Sequence, residues 1–217
     1  MPERKSKRVY YFSVEGQCER LYLMHLKRLI NSIDESKFKV GFIVKTERPK
    51  SYVKGLVILD KTQIYHMQDV ETKDYDAINS FMKTIDDINA AGKMGKKVKY
   101  SLIYSNLSFE VWILWHKSDF RQKRTFPRDY IQDINRAYGT DFKNAKEYKT
   151  EENFNKLLNL ISIEDVRNAV KRSEKIMQNY DEHEDFVKYK NQIYCLRDPS
   201  TNMGIVVKNI LIDCGLY

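Results

Sequence analysis

The chain has 217 residues, 42% apolar and 12% aromatic, and a formal charge of +8. This is enough apolar sequence for one domain's core and excludes a wholly disordered chain, while the basic balance favours anionic partners, nucleic acid first. Three well-separated cysteines (Cys18, Cys195 and Cys214) exclude a disulfide-stapled scaffold and a cysteine zinc site.

The opening MPERKSKR lacks the apolar stretch and cleavage site of a signal peptide. No run approaches the roughly 18 apolar residues of a membrane span. A cytoplasmic protein with no membrane partner is expected. Val9 to Val14 is β-branched and aromatic and predicts a buried strand. Leu21, Met24, Leu26, Leu29, Ile30 and Ile33 then recur near a 3.6 period and predict a helix from Arg20 to Ile33. Phe38 to Val44 reads as a second strand and Lys61 to Val70 as a third. Between them, Arg48 to Asp60 fits either a short helix or a loop. Tyr75 to Ala91 is helical in spacing and ends at Gly92 and Gly95. Lys97 to Tyr104 reads as a fourth strand and Leu107 to His116 as an amphipathic helix.

This alternation implies an α/β layer with a mostly parallel sheet flanked by helices. The remainder reads as helices at Arg128 to Tyr138, Glu151 to Leu160, Glu164 to Tyr180 and Met203 to Asp213. Ser162 is a candidate N-cap, and Asp198-Pro199-Ser200-Thr201 supplies turn chemistry before the last helix. No linker intervenes. We therefore expect an α/β core over residues 1–120 and a helical extension of the same domain, packed on it, over 121–217.

Three acidic positions attract attention. Glu15 stands where the first strand meets the first helix, and Asp69 and Glu71 stand at the end of the third strand. Ligands of open parallel sheets bind beyond the carboxyl ends of the strands. If these two strands are neighbours, the carboxylates converge, and an oxygen-only donor set suits Mg²⁺ or Mn²⁺. Such ions orient and polarise phosphoryl oxygens. Gly16 lets the backbone turn tightly beside such a site. A plainer alternative stays open: Glu15 complements the next helix's macrodipole, and Asp69 and Glu71 open a solvated turn with Thr72, Lys73 and Asp74.

In Ser105-Asn106-Leu107-Ser108-Phe109-Glu110-Val111-Trp112, Ser105 or Asn106 would cap the helix and Glu110 would lie in its first turns. An ordinary capped helix explains this stretch as well as a functional one does. His66 should face away from Asp69 and pack, as should His116, and His183 sits in an acidic turn. Lysines 93, 96, 97 and 99 form one basic cluster, and Arg121, Lys123, Arg124 and Arg128 another. The second could hold phosphates, or both could be solvated surface.

VYYFSVEGQCERLYLMHLKRL resembles the opening of the RloB-like family, also found as the second component of the AbiL abortive-infection system (AbiLii). Its pattern there is a strand, Glu-Gly-x-Thr-Glu, and a helix. IYHMQDVE is similar to the family's acidic strand end, YSNLSFEVWILWHK to its Ser-Asn-Pro-x-Phe-Glu-Leu-Trp stretch, and DPSTNMG to its Asn-Pro-Ser-Thr segment.

The resemblance covers nearly the whole chain. It implies a TOPRIM-like core in which Glu15, Asp69 and Glu71 bind divalent metal and serve nucleic-acid cleavage or polymerisation. It also implies a place in phage defence or restriction and an AAA- or ABC-type ATPase partner. Gly16, Ser105, Asn106 and Trp112 match motif positions without an assigned role. Cys18 departs from the threonine, Glu71 from the second aspartate of a TOPRIM pair, and Leu107 from a proline in the first helical turn. The stretch between the second and third strands is also short for a crossover helix, which leaves the strand order open.

The expected function is a metal-dependent nuclease. Glu15 is the acid/base or a ligand, Asp69 and Glu71 hold the metal, and Glu110 supports them. Arg121, Lys123, Arg124, Lys96 and Lys97 contact nucleic acid. One alternative is a non-catalytic nucleic-acid-binding or regulatory subunit that docks the ATPase, and another is nucleotidyl transfer, as in primases. Target type, trigger and oligomeric state are left open, a homo-oligomer included. No Walker motif is present, so ATP hydrolysis would come from the partner.

Overall fold

The β-branched and aromatic run after the basic start builds β1 (Lys7–Val14), which pairs in parallel with both β2 (Lys39–Lys45) and β3 (Thr62–Asp69). β4 (Val98–Asn106) pairs in parallel with β3, and the short β7 (Ser200–Thr201) adds antiparallel to β4. The sheet order is β2-β1-β3-β4-β7, so the strands ending at Glu15 and Asp69 are neighbours. This computed structural model describes residues 5–71 and 75–217. The turn suggested for Thr72, Lys73 and Asp74 lies outside the described residues, as do the first four residues of the basic start.

Three helices make the crossovers: α1 (Gln17–Asn31), α2 (Pro49–Gly55) and α3 (Tyr75–Ala91). The Arg48 to Asp60 stretch is therefore part helix, a two-turn crossover started by Pro49 and anchored by buried Tyr52 and Val53. Side chains alternate across the strands and feed two cores. Phe12, Val14, Met67 and Ile103 face α1 and α4 (Glu110–Lys117). Ile64, Leu102 and Tyr104 face α3 on the other side.

The segment from 121 onward fills the first of these cores with α5 (Tyr130–Tyr138), α6 (Ala145–Tyr148), α7 (Glu151–Leu158), α8 (Ile163–Met177) and α9 (Met203–Asp213). Ser162 caps α8 reciprocally: its hydroxyl accepts from the Asp165 N–H at 3.2 Å, and Asp165 accepts from the Ser162 N–H at 2.8 Å. No helix among the described residues is long and apolar enough to cross a membrane.

The structure corrects three expectations. The C-terminal part is not all helical: β5 (Phe186–Tyr189) and β6 (Gln192–Cys195) form a hairpin, and β7 extends the main sheet. Its four-residue strands are too short to show a clear alternation, and its turn uses Lys190 at φ 52° where a glycine would have announced it. Ser105 and Asn106 end β4 rather than capping a helix, because their register is taken by β7. The helix begins at Glu110, so Leu107 precedes it, joined to Asn106 by a cis peptide bond.

Candidate active site

Parallel pairing of β1 with β3 brings their carboxyl ends together. The Glu15 N–H donates to the Met67 carbonyl at 3.2 Å, which continues the ladder past the end of β1. The Glu15 carboxylate then turns across and accepts from the Asp69 N–H at 3.4 Å. Glu71, two residues on, is half-buried and close enough for its charge to raise the Glu15 carboxyl, although burial is the larger cause.

Asp69 points to the α1/α4 side of the sheet. There the Ser108 hydroxyl lies 3.2 Å from Asp69 Oδ2 and also contacts Glu110 Oε2. A hydroxyl has one proton to donate, so the two carboxyls compete for it. Glu110 is 2% exposed, and its Oε1 meets Lys149 Nζ, at the end of α6, at 3.4 Å.

Glu19, in the first turn of α1, completes the group. Gly16, the extended residue before α1, makes room for it: a Cβ at Gly16 would stand 2.8 Å from Glu19 Oε2. Burial, followed by the charges of Glu110 and Glu15, pushes the Glu19 carboxyl up to about 7. Asp69 is raised well above the ordinary range by burial and by Glu19, Glu110 and Glu15. Lys149 opposes the rise at Glu15, Glu19 and Asp69, and its own ammonium is held charged chiefly by Glu110.

The result, among the described residues, is a crowd of acids with the Lys149 ammonium set against Glu110. Its donor set is all oxygen, the chemistry of a hard divalent cation, and its mutual repulsion is what such a cation relieves. Among the described residues, no group of three or more His, Cys, Asp or Glu side chains is gathered as a ready coordination shell. The fit is therefore in charge and donor type.

Sequence reasoning singled out Glu15, Asp69, Glu71 and Glu110, and the fold brings Glu15, Asp69 and Glu110 to one strand edge with Glu71 beside Glu15. It passed over Glu19, Ser108 and Lys149. Glu19 ends the Glu-Gly-x-Cys-Glu run one helical turn after Glu15, and Ser108 lies two residues before Glu110. Both carried a local signal. Lys149 arrives from a remote helix and carried none.

The motif residues of unassigned role are architectural. Ser105 Oγ donates to Thr201 Oγ1 at 3.1 Å and Asn106 Nδ2 to the Leu196 carbonyl at 2.6 Å. The Ser-Asn and Pro-Ser-Thr segments therefore fasten to each other. Trp112 is fully buried and packs edge-on against Tyr22 and His116. His66 faces away from Asp69, buried, with Nδ1 2.8 Å from Ser13 Oγ.

The basic residues part company. Arg124 grips Asp133 with two 2.7 Å bonds, and its N–H donates to Asp198, which precedes β7. Arg121 pairs with Asp119 at 3.0 Å, and Lys123 is exposed. This cluster flanks the carboxyl end of β4. Lys96 donates to the carbonyls of Val53, Lys54 and Leu56, closing the end of α2. Exposed Lys97 precedes the start of β4, at the opposite sheet edge, about 26 Å away at ~3.3 Å per residue.

No curated protein and no solved structure matches the chain at a significant level. The family model described as RloB-like protein matches residues 10–210. That match runs from within β1 through the acidic strand end and the tryptophan helix into α9, and on it the chain belongs to the RloB-like protein family.

Proposed function

We propose that this protein is a Mg²⁺- or Mn²⁺-dependent nuclease with a TOPRIM-like core, the effector of a phage-defence, abortive-infection or restriction-associated system that works with an ATPase partner. The observation that carries the reading is the meeting of Glu15, Asp69 and Glu110 at the carboxyl edge of adjacent parallel strands, with Lys149 beside Glu110. Family membership supports it, and so does the basic segment from Arg121 to Arg124 beside the same edge.

Glu15, Asp69 and Glu71 would hold the cation, which supplies polarisation of a phosphoryl oxygen when bound. Glu110 lies deeper and fixes Ser108 and Lys149, so it positions rather than ligates. Lys149 Nζ offers a positive charge at the floor of the site, where negative charge accumulates on a phosphate under attack. Lys123 and its neighbours would hold the backbone of the strand outside.

The test is cleavage of labelled DNA and RNA with Mg²⁺ or Mn²⁺, with and without the neighbouring ATPase. Glu15→Gln and Asp69→Asn should each lower cleavage by at least about a hundredfold, the scale set by losing a group that stabilises transition-state charge. Their circular dichroism and melting should stay those of a folded protein. Unchanged defence in cells carrying both substitutions would leave the docking or regulatory subunit as the better reading.

A further inference from the structure

A second cavity, of about 220 Å³, opens on the other face of the same strand edge. It lies between the carboxyl ends of β1 and β3 and the helices α2 and α3, and its wall includes Glu15, Glu47, Arg48, His66, Gln68 and Ser80. Glu15 is common to this cavity and to the acidic cluster.

Gln68 is the unusual member. It is 7% exposed, and its Oε1 is buried with no hydrogen-bond partner. Its side chain lies beside His66 and pulls that imidazole up, against burial and the Arg48 charge, which drive it down to about 3, yet no donor reaches Oε1 at hydrogen-bond length. His66 thus stays neutral, and its Nδ1 is already committed to Ser13. A buried acceptor left unpaired is destabilising, so its place in a cavity wall calls for a ligand that brings an N–H or O–H.

The rest of the wall narrows the ligand class. Glu15 and Glu47 add acceptors and repel a bare anion, and the Arg48 guanidinium is paired to Asp87 at 3.0 Å. The volume falls below the roughly 300 Å³ at which drug-sized sites begin, so one ring system fits and a whole nucleotide does not. A strand laid along the carboxylates would pass the cavity mouth at Glu15.

Resting on the nuclease reading above, we propose that this cavity takes one nucleobase of the bound strand and selects bases that carry an exocyclic amino group, adenine, cytosine or guanine, over uracil and thymine. An exocyclic amine offers two N–H donors to an acceptor-lined wall, and glutamine is a geometric match for an adenine edge. Uracil and thymine present their single ring N–H between two carbonyls, which the carboxylates disfavour.

The test is titration of adenosine, cytidine and uridine into the full-length chain in EDTA, read by calorimetry and by amide chemical shifts. Adenosine and cytidine should bind at least about tenfold more tightly than uridine, and Gln68→Leu should erase that preference. Should Gln68→Leu fail to fold, Ser80→Trp, on the exposed side of α3, plugs the mouth and should abolish binding while the melting temperature holds. Absence of nucleoside binding, equal binding of uridine, or binding indifferent to both substitutions overturns the proposal. Cleavage without nucleoside binding removes the base pocket alone. Nucleoside binding with no cleavage under any condition removes the nuclease reading and keeps the pocket.

Discussion

Glu19 keeps its proton to about pH 7 because it is buried among other carboxyls. An acid whose folded-state pKa lies above its unfolded value stabilises fully below the unfolded pKa, and that contribution is lost as pH rises through the folded one. The window here runs from about 4.5 to about 7. In metal-free protein, Glu19→Gln should therefore raise the unfolding free energy by about 1–3 kcal/mol at pH 8 and by nothing near pH 4.5. Urea unfolding at the two pH values, in EDTA, checks this, and a gain independent of pH would mean that charge crowding is not the cause. The same residue marks how far the sequence could be read. Glu15 and Asp69 announce themselves by standing at strand ends, and Glu19 by its helical spacing from Glu15. Lys149 depends on 130 residues of intervening chain, and nothing local distinguishes it from the chain's other lysines.

Helix packing was legible where one helix spans one periodic run. The Tyr75 to Ala91 and Met203 to Asp213 spans agree with their predicted limits, because apolar spacing sets both the buried face and the ends. The hairpin at Phe186 to Cys195 was not, since it lacks the glycine turn that normally signals one. Close contact between elements was equally hidden. Gly204, in the first turn of α9, lets that helix lie directly on α8: a Cβ there would fall 1.9 Å from Ser173 Oγ and 2.9 Å from its Cβ. Gly204→Ala should cost about 1–3 kcal/mol, the usual penalty of overpacking a filled core. Ser173→Gly in the same chain removes both clashing atoms and should return most of the loss. A double-mutant cycle by chemical denaturation measures this coupling, and strict additivity would show that the two helices do not meet there.

Charge is organised over the whole molecule by the direction of the parallel sheet. Arg124 is tied through Asp198 to the edge that carries the acids, with Lys123 next to it in the chain, and Lys97 lies at the opposite edge. Composition gives the +8 total, and only the strand direction tells which lysines share an edge with the carboxylates. If nucleic acid lies along the carboxyl edge, Lys123→Glu should weaken its binding severalfold and flatten the salt dependence by about one phosphate contact. Lys97→Glu should leave both nearly unchanged. Binding of a short labelled duplex and of a single strand across a salt series distinguishes the two, and equal loss in both variants would place the strand elsewhere.

β7 also sets an order of assembly. It is two residues long and pairs Ser105 and Asn106 with Thr201 and Ser200, almost a hundred positions later in the chain. Until residue 201 has left the ribosome, the border of β4 at Ser105 and Asn106 has no strand partner, and open strand borders invite foreign strands. A polypeptide stopped short of this point would carry every acid of the cluster and yet lack the clasp that fixes the strand leading into Ser108 and Glu110. The acidic cleft is therefore finished by a segment that the ribosome delivers long after the acids themselves.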